Sequence, residues 1–166
     1  MITEDYIMRL IRLAAEFIAK ALGLAREGDF LAGEETLANG LRDLTGISLD
    51  TLMAVDARTL ENMVGGDDAS VFMLAEFLGA MSEIELAKGR LDLYYSYLKK
   101  SLRLYLVIHV NEDLETDTPI YSTYDKSKDG IWEGRLLNEL LEFFNDRGDV
   151  EKSREIRGML DEIQAI

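Results

Sequence analysis

The stretch from Leu91 to Ile108 limits the fold of this chain more than any other. Leu91, Tyr94, Tyr95, Leu98, Leu102, Tyr105 and Leu106 recur at helical spacing and make one apolar face. Leu93, Tyr97, Leu104, Val107 and Ile108 make a second. The polar remainder is a single stripe of Asp92, Ser96, Lys99 and Arg103, with Lys100 beside it. A helix that packs on one neighbour needs one apolar face. Two faces imply a helix wedged between neighbours, about 27 Å long at about 1.5 Å per residue. It is placed at the centre of an all-helical domain. A membrane span is rejected for it, because Asp92, Lys99, Lys100 and Arg103 interrupt the run.

The rest of the chain repeats the helical pattern. Ile7, Leu10, Ala14, Phe17, Ala21 and Leu24 form a stripe over a first helix, 4–25, which Thr3 is placed to cap. Asp29 is a candidate N-cap for a second helix, 30–44, with Leu37, Leu41 and Leu44 inward. Gly33 and Gly40 lie on that inward side. Each costs about 1 kcal/mol against alanine, so close approach of another helix is their expected use. A third stretch, 48–64, has Asp56 placed to cap its second half, which leaves one helix or two short ones open. A fourth, 71–88, carries Leu74, Ala75, Leu78 and Met81 on one face. Trp132, Leu136, Leu137, Leu140, Leu141 and Phe144 mark a sixth helix, and Ile156, Leu160 and Ile163 a seventh that starts near Val150. Between them, 111–128 is expected to be an irregular acidic connection, with the only proline, Pro119, and the acids Glu112, Asp113, Glu115 and Asp117. The runs 107–110 and 119–124 are too short to be read as strands. The expectation is one all-α domain, 1–166, of about seven helices.

Composition narrows the function. Acidic residues outnumber basic ones 32 to 18, for a net charge of −14. Residues 29–92 hold thirteen acids against four bases, or −9. A surface of this sign argues against nucleic-acid phosphates and against an anionic membrane. No cysteine is present and His109 is the single histidine, which removes thiol chemistry and weakens the case for an enzyme. No phosphate-binding glycine loop, nucleophile elbow or His-Glu-x-x-His pattern occurs. Residues 1–5 are acidic rather than basic, so no leader peptide is expected, and a cytoplasmic setting is. No cofactor is expected.

Three turns are alike: Gly28-Asp29-Phe30, Gly89-Arg90-Leu91 and Gly148-Asp149-Val150, about 60 residues apart. Each follows one helix and opens the next, which predicts antiparallel hairpins over about 4–45, 70–109 and 130–164. Around the first turn, Phe17, Ala21 and Leu24 precede the Gly-Asp-Phe step, and Gly33, Gly40 and Leu41 follow it. This order resembles the tetratricopeptide repeat, in which large and small residues alternate at those places. Gly89, Leu91, Tyr94, Ser101 and Leu102 match in part, and Gly148, Asp149, Val150 and Ser153 match the start. The family's proline after each pair is missing, and the spacing exceeds its usual period of about 34 residues. The chain therefore resembles a degenerate member, and its layout is also similar to that of small bacterial proteins of unknown function. The resemblance implies stacked hairpins and a non-enzymatic protein-interaction or assembly module.

Candidate sites follow from these readings. A groove for a protein or peptide partner would use Tyr94, Tyr97 and Tyr105. Self-association into a homo-oligomer would use the first helix through Ile7, Leu10 and Phe17. A second functional class, a regulatory protein binding a small molecule or calcium, rests on two features. One is a pocket among those same tyrosines. The other is Asp125-x-Ser127-x-Asp129-Gly130, which has oxygens at positions one, three and five of an EF-hand loop. Position twelve of that loop is Leu136 where a bidentate Glu is required.

Overall fold

The computed structural model describes residues 2–166, with side chains from residue 5 onward. The expected Thr3 cap lies outside the described side chains. All regular structure among the described residues is helical: α1 (Ile2–Arg26), α2 (Phe30–Thr45), α3 (Leu49–Ala54), α4 (Ala57–Met63), α5 (Asp68–Ala87), α6 (Leu91–Ile108), α7 (Asp117–Ser127), α8 (Gly134–Asp146) and α9 (Val150–Gln164). Two compact units make up the chain, 1–128 and 129–166.

Nine helices stand among the described residues where about seven were expected, and two places account for the difference. The stretch 48–64 is two helices, because each half has its own cap. Ser48 Oγ accepts from the Thr51 amide at 3.2 Å, and Asp56 Oδ1 accepts from the Thr59 amide at 3.0 Å. The second place is α7, inside the segment expected to be irregular. Its buried side is Ile120, Thr123, Tyr124 and Ser127, a helical spacing written mostly in residues with polar atoms. Pro119 sits in its first turn, where a missing N–H removes no helical bond. The Glu115 carboxylate accepts from the Thr118 amide there at 2.9 Å.

In the first unit, α1 and α2 form a hairpin and both pack on α5. A Cβ at Gly33 would lie 2.9 Å from the Ala21 carbonyl oxygen, and one at Gly40 would lie 2.6 Å from Phe17 Cγ. These two glycines let α1 and α2 approach closely, as their placement in the sequence suggests. The most enclosed helix is α5, not α6. Val71, Met73, Leu74, Ala75, Phe77, Leu78, Met81 and Ile84 are all out of solvent, so α5 is buried around its whole circumference. Its alanines and methionines hid this in the sequence, where only one face was read. Helix α6 is wedged between neighbours as its two faces require: it packs on α5, α7 and α4. Ser101 Oγ donates to the Ala75 carbonyl at 2.8 Å, and the Tyr105 ring meets Phe72 edge-on at 5.7 Å.

The second unit is the hairpin of α8 and α9. Leu136, Leu137, Leu140, Phe143 and Phe144 of α8 are buried, with the two phenyl rings edge to face at 5.3 Å. From α9 only Ile156 among the expected inward residues is fully buried; Leu160 is half-buried and Ile163 is exposed.

The three look-alike turns have one geometry. Gly28, Gly89 and Gly148 have φ of +90°, +74° and +70°. The amides of Asp29, Arg90 and Asp149 donate to the carbonyls of Leu24, Glu85 and Phe144 at 2.9–3.0 Å. This closes each preceding helix with a left-handed glycine. The two aspartates then cap the next helix, accepting from the Ala32 and Lys152 amides at 3.1 and 3.0 Å.

Candidate functional site

The tyrosines singled out in α6 are buried, and they do not converge on one surface. Tyr105 donates its hydroxyl to the Glu76 carboxylate of α5. Burial holds the Tyr105 phenol well above its ordinary range, and the Glu76 charge adds to this. Burial likewise raises the Glu76 carboxyl, while the Tyr105 hydroxyl and Lys126 oppose the rise. Tyr97 is enclosed as well; burial raises its phenol, with the charges of Glu85 and Glu34 next in effect. Those two acids belong to a cluster at the α5–α6 turn. Glu85 is 2% exposed, and its Oε2 lies 2.5 Å from Arg90 Nε in an ion pair whose orientation is not that of a hydrogen bond. Its Oε1 accepts from Arg90 Nη2 at 3.1 Å. Glu34 of α2 pairs with Lys88, and with Arg90 at 3.4 Å, which ties the tip of one hairpin to the other.

Tyr94 borders open space. It lines a groove of about 400 Å³ where four helices of the first unit come together. Leu22 and Ala25 of α1 and Ile84 and Ala87 of α5 supply an aliphatic floor, and Leu86 stands half-exposed at its edge. Arg26, Glu83 and Lys126 supply the charges. Lys126 Nζ is 3.8 Å from the Glu83 carboxylate, and Arg26 makes no ion pair among the described residues. The Tyr94 hydroxyl reaches the Lys126 carbonyl at 3.5 Å. Eight of these nine residues, all but Tyr94, were not flagged from the sequence as site residues, because each is an ordinary member of its own helix. Only the meeting of helix ends groups them.

The residues proposed for self-association divide. Phe17 lies on Gly40 inside the first hairpin, so its ring is part of the α1–α2 contact. Ile7 and Leu10 are half-buried, and the adjoining Tyr6 and Met8 are exposed at 58% and 54%. The cause is length. α1 has 25 residues and α2 has 16, or about 37 Å against about 24 Å. α1 therefore runs past the end of its partner.

Of the calcium pattern, Asp125 and Ser127 stand within the helix α7. The buried Ser127 hydroxyl donates to the Thr123 carbonyl at 2.7 Å and lies 3.0 Å from that of Tyr124. Asp125 pairs with Lys128 at 3.5 Å, and Asp129 follows the helix. His109 is the residue that ends α6.

No family model, no curated protein and no solved structure matches this chain. No helix of the described residues is long and apolar enough to cross a membrane.

Proposed function

We propose that this chain is a non-enzymatic protein-interaction or assembly module of the cytoplasm, built from helical hairpins of the tetratricopeptide kind. The observation that carries this reading is the start of α1, a helix nine residues longer than α2, where Tyr6 and Met8 are exposed beside the half-buried Ile7 and Leu10. The end of a helical stack with an apolar outer face calls for a cap or a partner. A second copy of the chain is the simplest partner. The recurrent glycine turn and the close-approach glycines Gly33 and Gly40 support the hairpin part of the reading.

Light scattering on the purified chain over a range of concentration tests it. A dimer or larger assembly is expected. Ile7→Asp with Leu10→Asp is expected to give a folded monomer, with helicity unchanged. A wild type that stays monomeric and captures no specific protein would remove the reading.

A further inference from the structure

We propose that the groove between α1, α5, α6 and α7 is a binding site for a free single-tailed carboxylate, of the size of a medium-chain fatty acid. This does not depend on the assembly reading, since α1 contributes to the groove through its last turns and not through its overhang.

Three observations converge on that ligand. The first is size. About 400 Å³ falls at the lower end of the range of small-molecule sites, about 300–1,000 Å³. The second is the floor. The side chains of Leu22, Ala25 and Ala87 are aliphatic, with the buried Ile84 behind them, and the Tyr94 hydroxyl is turned to the Lys126 carbonyl. A ligand tail with polar atoms would lose hydrogen bonds to water there and regain none, whereas an alkyl tail only gains by leaving water. The third is charge. Two cations and one carboxylate border the groove, and Glu83 stands against Lys126 at 3.8 Å. Arg26 is left over, a positive site on a chain of net charge −14. One carboxylate complements one guanidinium with two parallel hydrogen bonds. A doubly charged head would meet the acidic remainder of the surface.

The groove is also held in place. The Arg90–Glu85 pair ties the start of α6 to the end of α5 beside it. A preformed apolar floor loses little conformational freedom when it is filled.

Calorimetry and amide NMR shifts on the full chain, with sodium octanoate below its micelle concentration, test the site. Saturable binding of one molecule per chain is expected, with shifts confined to the ends of α1, α5 and α7 and the start of α6. Arg26→Glu should weaken it by about tenfold or more, the effect of removing a charged hydrogen-bond partner. Ala87→Phe, at an exposed position, should fill the floor and abolish binding while leaving helicity and melting temperature in place. 1-Octanol should bind more weakly than octanoate. The proposal falls if octanoate does not saturate, if octanol binds equally well, or if Arg26→Glu binds as the wild type does. It also falls if a short leucine-rich peptide with a free C-terminus binds more tightly than octanoate, which would make the groove a peptide site.

Discussion

Gly40 of α2 lies directly on the ring of Phe17 of α1, so close that a Cβ at position 40 would sit 2.6 Å from Phe17 Cγ. Gly40→Ala is therefore expected to destabilise the protein by about 1–3 kcal/mol through overpacking, despite the gain of about 1 kcal/mol that alanine brings to a helix. Gly23 of α1 has nothing within 4 Å of its would-be Cβ. There the same change should stabilise by about 0.5–1 kcal/mol. Urea midpoints of the two variants should move in opposite directions.

The Glu76–Tyr105 pair makes stability depend on pH in a defined sense. Burial holds the folded Glu76 carboxyl above its ordinary value of 4.5. Between that value and the raised one, the native state binds more protons than the unfolded state, so stability falls as pH rises. Glu76→Gln should keep an acceptor for Tyr105 and flatten this part of the profile. Tyr105→Phe removes the donor that holds the carboxyl down, so the fall should extend to higher pH. Thermal melts from pH 4 to 8 on the order of one unit apart would check both signs.

Asp29 and Asp149 do the same work at two of the three turns, each accepting an amide of the following helix. Asp29→Ala and Asp149→Ala should each cost about 1 kcal/mol. At the middle turn Arg90 makes no such cap and instead pairs with the buried Glu85. Arg90→Ala should cost on the order of 1–3 kcal/mol by leaving that carboxylate without its main partner. Chemical denaturation of the three variants would compare the two kinds of turn.

Gly89 has φ of +74°, a region that an L side chain enters at a cost of about 1–2 kcal/mol. Gly89→Ala should therefore destabilise by about that amount, whereas Gly158→Ala, inside α9 with open space around it, should not. Melting temperatures would separate them.

The hairpins were legible because their signals are local. Gly-Asp at a helix junction, a cap three residues before its amide and a stripe at 3.6-residue spacing all act within one or two turns of chain. The wedged character of α6 and the tight approach at Gly33 and Gly40 could be read for the same reason. α7 was not legible, because a helix whose inner face is Ile120, Thr123, Tyr124 and Ser127 scores as polar while its methyls and ring are buried. The same missed helix holds Asp125 and Ser127 of the calcium pattern, residues whose two-apart spacing was read as a loop.

The groove was the least legible part. Tyr94 was flagged, but Leu22, Ala25, Arg26, Glu83, Ala87 and Lys126 come from three other helices, and no periodicity within one helix links them. The overhang of α1 could be read in part, since its stripe is longer than that of its neighbour. Which of its residues lie on the hairpin contact could not. Phe17 and Ile7 belong to the same stripe, yet one covers a glycine and the other extends past the end of α2.

The sequence by itself determined that the regular structure among the described residues is helical, that the chain turns back three times through one kind of glycine corner, and that its net charge is acidic. These are properties of short segments, and neighbouring residues are enough to set them. Only the tertiary structure decided that α5 rather than α6 is the enclosed helix, that the tyrosines of α6 are mostly interior, and that an aliphatic groove with a surplus cation opens where four helices meet. Such features depend on which faces of distant segments come together, and burial, ion pairing and cavity shape are settled only at that point.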